Sequence, residues 1–341
     1  MTKNRPQIVD KFNRPIRDLR ISIIDKCNFR CPYCMPAEIF GADYNFLNKN
    51  ELLSADELVR MARLFVQLGV NKLRITGGEP LVRPDVIQIV EKLAQIPGVD
   101  DLALTTNGFY LQKYAQPLLD AGLNRLTVSF DSLDDAVYKQ MNGRRSNVEH
   151  TLAAIAHAES VGFSPMKINC VVRKNVNEHT IVDLARHFKG TGHIIRFIEY
   201  MDVGNLNGWK LDDVLSADKI ISRIDAELPL EPIAPNYKGE VATRYRYLDG
   251  EGEIGVIASV TKPFCGNCTR ARVSSAGEYY TCLFANQGVD LRAPMRNGAD
   301  DAEMIKLIQG VWQRRTDRYS ELRTSFTKIP AKGAEMYRLG G

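Results

Sequence analysis

Two groups of cysteines carry spacing that only a few chemistries need. Cys27, Cys31 and Cys34 fall within the stretch DKCNFRCPYC, and Cys265, Cys268 and Cys282 form a second set spaced C-x2-C-x13-C. Clustered thiolates are ligands for soft metals or reactive nucleophiles. A structural zinc site closes with four ligands, and neither set has a fourth nearby. The five histidines, at 150, 157, 179, 187 and 193, lie far in sequence from both. Two sets of three therefore fit better as ligands of two iron–sulfur cubanes, each leaving one iron without a protein ligand and open to something else. A structural zinc at the second set is the competing reading. Cys170 stands apart, mid-strand on an apolar face, and reads as a buried core thiol.

The elements that must hold these cysteines alternate along the first two thirds of the chain. Strand-like runs occupy 19–25, 72–77, 101–108, 125–132, 166–172 and 193–201. Helical segments lie between them, such as SADELVRMARLFVQLG, where Ser54 and Glu57 read as a capping box and Gly69 as the stop. This rhythm implies a parallel sheet, either doubly wound or wrapped as a barrel. The first cysteine set then sits just past the C-terminal end of the first strand, where the active sites of barrels collect. After about residue 230 the pattern changes. Two strand runs are joined by Asp-Gly at 249–250, a second hairpin turns at Ala276-Gly277, and one helix is expected over 300–319. The proline-rich LPLEPIAP places a boundary near 228–236, giving domains of 1–230 and 231–341. No fixed-period repeat or low-complexity tract is present.

The strands do not read as the continuous apolar runs of a filled barrel. Lys72, Arg74 and Thr76 oppose Leu73 and Ile75. Arg125, Thr127, Ser129 and Asp131 oppose Leu126, Val128 and Phe130. Ala103, Thr105 and Asn107 oppose Leu102 and Leu104, and Lys167 with Asn169 opposes Met166, Ile168 and Cys170; Arg20, Ser22 and Arg196 continue the trend. Alternation across a strand makes one face of the whole sheet polar and basic. Since helices cover the apolar face, the polar face lines the inside, as a chamber for a negatively charged ligand. Arg270 and Arg272, at i and i+2 beside a cysteine, project together with forks suited to phosphate. No GxxxxGK[ST] loop is present, so a nucleotide would not be held in the P-loop manner.

Composition sets the outer limits. With 44% hydrophobic and 25% charged residues over 341 positions, the chain can build a sizeable core. A net charge of +4 is too modest for general nucleic-acid or membrane-surface binding. The charged N-terminus has no secretory h-region and no apolar run reaches a membrane span. Seven cysteines in such a chain point to a reducing, cytoplasmic setting.

The C-x3-C-x2-C motif after the first strand resembles the hallmark of the radical S-adenosylmethionine (SAM) superfamily, and Ile-Thr-Gly-Gly-Glu-Pro at 75–80 resembles its second signature. The resemblance implies a partial, six-stranded (β/α) barrel of TIM type, open on one side, with a smaller C-terminal domain containing antiparallel strands. It also implies that the missing fourth cysteine leaves an iron for SAM. DLRISIIDKCNFRCPYCMP, RITGGEPLVR, LTTNG, RFIEYMDVG, the second cysteine set with TRAR, and a terminal Gly-Gly together are similar to the GTP 3′,8-cyclase family of molybdenum cofactor biosynthesis, in order over nearly the whole chain. Membership would imply reductive cleavage of SAM to a 5′-deoxyadenosyl radical, abstraction of the C3′ hydrogen of GTP, and closure onto C8 of guanine.

On this resemblance Cys27, Cys31 and Cys34 hold a catalytic [4Fe-4S] cluster, and Tyr33, Gly78, Ser129 and Met201 contact SAM. Arg20, Arg74, Thr105, Lys167, Arg270, Ala271 and Arg272 match GTP-binding positions, with Lys72 and Arg196 as further lumen contacts. Cys265, Cys268 and Cys282 hold a second [4Fe-4S] cluster that meets the guanine, and the Gly340-Gly341 tail reaches the active site. The implied partners are a flavodoxin- or ferredoxin-type reductant and the cyclic pyranopterin monophosphate synthase that takes the product, with no nucleic acid or membrane, the chain being a monomer or homodimer. Two other readings compete: a peptide-modifying radical SAM enzyme with an auxiliary cluster, and a zinc-stabilised nucleic-acid-binding protein. The first would usually carry more cysteines, and the second leaves the GGEP turn and the first cysteine spacing without a purpose.

Overall fold

The computed structural model describes residues 7–204, 206–323 and 334–340. All six expected strands form, at Asp18–Ser22 (β1), Lys72–Thr76 (β2), Asp101–Thr106 (β3), Arg125–Ser129 (β4), Lys167–Val172 (β5) and Ile194–Glu199 (β6). They pair parallel and in chain order. Their apolar faces do what the alternation predicts: Leu73, Ile75, Leu104, Val128, Ile168, Cys170 and Phe197 are buried in one core with the helix residues Leu58, Phe65, Ile89, Leu118 and Leu184. The helix Ala55–Gln67 starts on the expected capping box, Glu57 N–H donating to Ser54 Oγ at 3.2 Å and Ser54 N–H to the Glu57 carboxylate at 2.7 Å.

Six more strands follow: Leu230–Ile233 (β7), Thr243–Tyr247 (β8), Glu253–Ile257 (β9), Arg270–Val273 (β10), Glu278–Tyr280 (β11) and Val289–Asp290 (β12). They extend the same sheet at both edges. β9 joins β6 and β10 joins β1, both parallel, while β7–β8 and β11–β12 continue outward antiparallel. The order is β12-β11-β10-β1-β2-β3-β4-β5-β6-β9-β8-β7. Side chains from all eight parallel strands line one cavity, so the sheet curls around it, while its outermost strands β12 and β7 do not pair with each other. The architecture is a partial barrel.

Three details depart from the sequence reading. The proline-rich boundary contains the edge strand β7, where Pro232 costs no ladder bond because edge strands tolerate a missing N–H. The Asp-Gly turn is a longer loop between β8 and β9, with Gly250 and Gly252 both at positive φ. The last long helix ends at Gln313 rather than near 319. There Arg315 turns inward, buried, and donates to the Cys268 carbonyl at 2.8 Å and to Asp10 and Asp317. A residue pulled into the interior cannot also continue an outer helix.

One buried carboxylate ties the end of β6 to the loop after β9 and to the helix that starts at Ala217. Glu199, at the end of β6, accepts from the backbone N–H of Ala217 at 2.7 Å, Val260 at 2.8 Å and Thr261 at 2.9 Å, and from the Thr261 hydroxyl. Removing it leaves one buried and two partly buried backbone donors, together with the Thr261 hydroxyl, without their acceptor, which is expensive. Glu199→Ala should lower unfolding free energy by about 3 kcal/mol or more, with Glu199→Gln losing clearly less. Urea denaturation of the two variants measures this; equal losses would show that the carboxylate's charge and its oxygens are not what the site uses.

Candidate active site

The chain leaves β1 directly into the cysteine loop, and it leaves β2 into Gly77-Gly78-Glu79-Pro80. These two turns interlock. Gly78 N–H donates to the Ile24 carbonyl at 2.8 Å and Glu79 N–H to the Lys26 carbonyl at 2.9 Å. A Cβ on Gly78 would lie 2.2 Å from the Lys26 carbonyl oxygen, so only glycine lets the backbones approach. The Gly-Gly pair thus seats the segment that leads into Cys27. Glu79 is buried and accepts from the Thr106 hydroxyl and Asn107 N–H, each at 2.7 Å, and from Leu81 N–H at 3.0 Å; burial pushes its carboxyl up to about 7. Asn107 in turn donates to Asn28 Oδ1 at 2.8 Å and lies 3.9 Å from Cys27 Sγ. Across the loop, the Tyr33 hydroxyl donates to Asp131 at 2.9 Å, and Asp131 also accepts from Val171 N–H at 2.8 Å. Burial raises that carboxyl too, to about 7.

Of the expected SAM contacts, Tyr33 and Gly78 lie in these loops, Ser129 ends β4 and Met201 follows β6. All four sit at the C-terminal ends of the parallel strands. Sequence reasoning did not single out Glu79, Asn107 or Asp131 as supports. The signal was there, since each is a polar residue at a strand end inside a motif already noticed.

The three thiols of the first set are partly exposed and close enough to repel one another as thiolates. Burial pushes Cys27 up to about 12, and it raises Cys31 and Cys34 as well, with the neighbouring thiols adding to it. Bare thiols in this loop are therefore neutral, and a cationic metal centre is what would convert them to thiolate ligands.

The second set sits at the other end of the barrel. Cys265 and Cys268 close a tight turn, with Cys268 N–H donating to the Cys265 carbonyl at 3.1 Å, just ahead of β10; Cys282 follows β11. All three line the cavity. Arg270 donates to Cys268 Sγ at 3.2 Å, Arg315 to the Cys268 carbonyl, and Arg14 to the Cys265 carbonyl at 2.8 Å. Burial raises the Cys268 thiol, but Arg270 and Arg315 outweigh it and bring it to about 6, while burial holds Cys282 up at about 11. Among the described residues no three His, Cys, Asp or Glu side chains converge as they would on a single ion. Three thiols on these turns are soft donors of the kind that both zinc and iron–sulfur groups take.

β1 separates the two sets: Cys268 precedes the Arg270–Asp18 pair at its start and Cys27 follows its end. Five residues of strand span about 16 Å at 3.3 Å each. Between the sets lies the cavity, about 1680 Å³ of space counting its open mouth. In its wall Arg20 stands in register with Arg272 of β10 on one side and Arg74 of β2 on the other. Three guanidiniums are thereby set on adjacent strands about 5 Å apart. Lys72, Lys167, Arg196 and Arg270 also line it, as does Thr105. Burial and these neighbours hold Arg20 well below its usual pKa, lower Arg74, and bring Lys167 down to about 8.

Several wall cations meet only neutral groups. Arg74 donates to the hydroxyls of Thr105 and Thr127, Arg196 to Asn169, and Lys72 lies 3.5 Å from the centre of the Tyr237 ring. Arg20 has no hydrogen-bond or ion-pair partner among the described residues. Arg272 donates to the Gly340 carbonyl at 2.6 Å, so the end of the chain is docked at the row, with Tyr337 buried against Phe40; Gly341 lies outside the described residues. Ala271 is buried in the core, and its side chain does not line the cavity.

Comparison with known proteins agrees with this arrangement. Residues 21–188 match the radical SAM superfamily and residues 193–321 match the family described as Molybdenum Cofactor Synthesis C. Proteins named GTP 3′,8-cyclase are similar along nearly the full length. The one from Acidothermus cellulolyticus is 52% identical, covering 93% of this chain and 88% of its own. The one from Staphylococcus saprophyticus is 50% identical over 94% of both, and the one from Xanthomonas campestris 49% over 97% of both. Among solved structures, Streptococcus suis SuiB bound to S-adenosylmethionine superposes with a TM-score of 0.64 over 91% of this chain and 71% of its own, at 15% identity, which speaks for the fold alone. Two cysteine sets at opposite ends of a cation-lined partial barrel, and half of all residues shared with these relatives, place the chain in the GTP 3′,8-cyclase family of radical SAM proteins.

Proposed function

We propose that this chain converts GTP to 3′,8-cyclo-7,8-dihydro-GTP, the first step of molybdenum cofactor biosynthesis, and that it carries two [4Fe-4S] clusters. The observation that carries the reading is the in-register row Arg272–Arg20–Arg74 in a cavity flanked by two thiol sets. A row of like charges without carboxylate partners is costly when empty and complements a triphosphate of about −4. Cys27, Cys31 and Cys34 would hold one cluster and Tyr33, Gly78, Ser129 and Met201 the SAM beside it; when bound, they supply the 5′-deoxyadenosyl radical that removes hydrogen from the ribose. Cys265, Cys268 and Cys282 would hold the second cluster at the far end.

The protein's own part is placement. Arg20, Arg74, Lys167, Arg270 and Arg272 hold the triphosphate, with Lys72, Thr105 and Arg196 beside them. The nucleotide's base and ribose then lie between the two thiol sets. The interlocked glycine turn and the Asp131–Tyr33 bond keep the cysteine loop rigid, because a misplacement of about 1 Å costs on the order of a hundredfold in rate. Cyclic pyranopterin monophosphate synthase would consume the product.

Metal content tests the cluster count. Anaerobic reconstitution should give about eight iron atoms per chain from two cubanes, and replacing Cys27, Cys31 and Cys34 with Ala should halve the iron and abolish SAM cleavage. Stoichiometric zinc without visible absorbance would end the iron–sulfur reading.

The cation row has its own signature. Since Arg20 has no hydrogen-bond or ion-pair partner to lose among the described residues, Arg20→Gln should leave thermal stability unchanged or raise it by about 1 kcal/mol. The same variant should weaken GTP binding roughly tenfold to a hundredfold and hardly alter guanosine binding. Calorimetric titration of both ligands decides; equal losses with guanosine would mean that Arg20 does not grip phosphate.

A further inference from the structure

One basic feature lies outside the cavity. Between the helices Asp135–Asn142 and Val148–Ser160 the chain turns against the cysteine loop. Arg30 N–H donates to the Asn142 carbonyl at 3.3 Å, and a Cβ on Gly143 would come within 2.3 Å of the Arg30 carbonyl oxygen. Gly143, at φ 70°, is followed by Arg144 at φ 60°. A long side chain in the left-handed region is uncommon and persists where its surroundings hold it. Arg145 N–H is pinned by Asn142 Oδ1 at 2.8 Å. The turn is thus fixed, and it presents two exposed guanidiniums that have no hydrogen-bond or ion-pair partner among the described residues.

At the turn itself neither arginine is paired with a carboxylate among the described residues, while Lys26 stands beside Asp25. Lys26, next to Cys27, is exposed, and among the described residues the Arg30 guanidinium donates only to the carbonyls of Cys27, Phe29 and Phe40 and towards the Met35 sulfur. Of the nearby carboxylates, Asp134 caps its helix and Asp135 is paired with Lys139. No bond links Glu149 to either arginine among the described residues. A cationic rim therefore borders the loop whose three thiols are themselves partly exposed.

Reductive cleavage of SAM consumes an electron that must arrive from outside at this loop. Resting on the function proposed above, we infer that Lys26, Arg144 and Arg145 form the docking surface for an acidic one-electron carrier protein of the flavodoxin class. The carrier would be oxidised by one electron and the cluster that Cys27, Cys31 and Cys34 would hold reduced by one, with no bond made or broken in the transfer. Complementary charge around the exit point raises the rate of productive encounter and orients the donor.

Binding of an acidic flavodoxin to the full chain, measured by calorimetry at low and high salt, tests this without relying on turnover. The wild type should bind with a steep salt dependence. The double variant Arg144→Glu/Arg145→Glu should bind about tenfold more weakly or worse, with a shallower salt slope. Lysine at both positions should keep binding, because steering needs the charge and not the guanidinium fork. SAM cleavage driven by dithionite, which is small enough to need no docking, should be unchanged in the glutamate variant, while flavodoxin-driven cleavage falls. Salt-insensitive binding by the wild type, unchanged affinity in the glutamate variant, or equal loss of dithionite-driven cleavage would each overturn the surface. A wild type that cannot cleave SAM even with dithionite would instead overturn the radical reading beneath it.

Discussion

The in-register row of Arg272, Arg20 and Arg74 is the constraint around which the rest of this protein is arranged. Guanidiniums on neighbouring strands repel one another, and removing them from water costs several kcal/mol per ion unless a partner of opposite charge compensates. A parallel barrel with such a lining cannot collapse into the packed interior that a filled barrel has. The sheet must stay curled around an open space. The large apolar face behind it, shared with the surrounding helices in one core, supplies the stability that the polar lining withholds.

That constraint explains why the C-terminal strands join the barrel's own sheet. β9 and β10 complete the wall at its two edges, and β10 brings two of the cations with it. The same strand carries the second cysteine turn to the N-terminal end of β1, while the first cysteine loop leaves its C-terminal end. One strand thereby sets the separation of the two thiol sets. The buried carboxylate of Glu199 ties the loop after β9 to β6, which holds that side of the wall.

The two ends of the cavity differ in electrostatic character. Carboxyls lie beside the first set, Glu79 and Asp131 both buried and raised to about 7, and its thiols are strongly held in the neutral form. Arginines surround the second set, and Cys268 is drawn down to about 6 against the effect of burial. An anionic ligand entering this gradient is attracted towards the second set and the row beside it.

Much of this was legible in the residues themselves. The alternation of Lys72, Arg74 and Thr76 with Leu73 and Ile75 was enough to put cations inside, because a strand's two faces are fixed by its period of two. The cysteine spacings, read with the GGEP turn, pointed to the chemistry. What tertiary structure alone decided is everything that depends on register and on long-range docking. No local pattern says that Arg20 lies between Arg272 and Arg74, 252 and 54 positions away in the chain, since strand pairing is set by the whole sheet. Nor could sequence show that Gly78 is there to let its backbone meet Lys26, that Arg315 must leave its helix to reach Cys268, or that the Gly340 carbonyl would occupy Arg272. Each of these is a contact between segments far apart in the chain, and such contacts exist only once the core has brought the segments together.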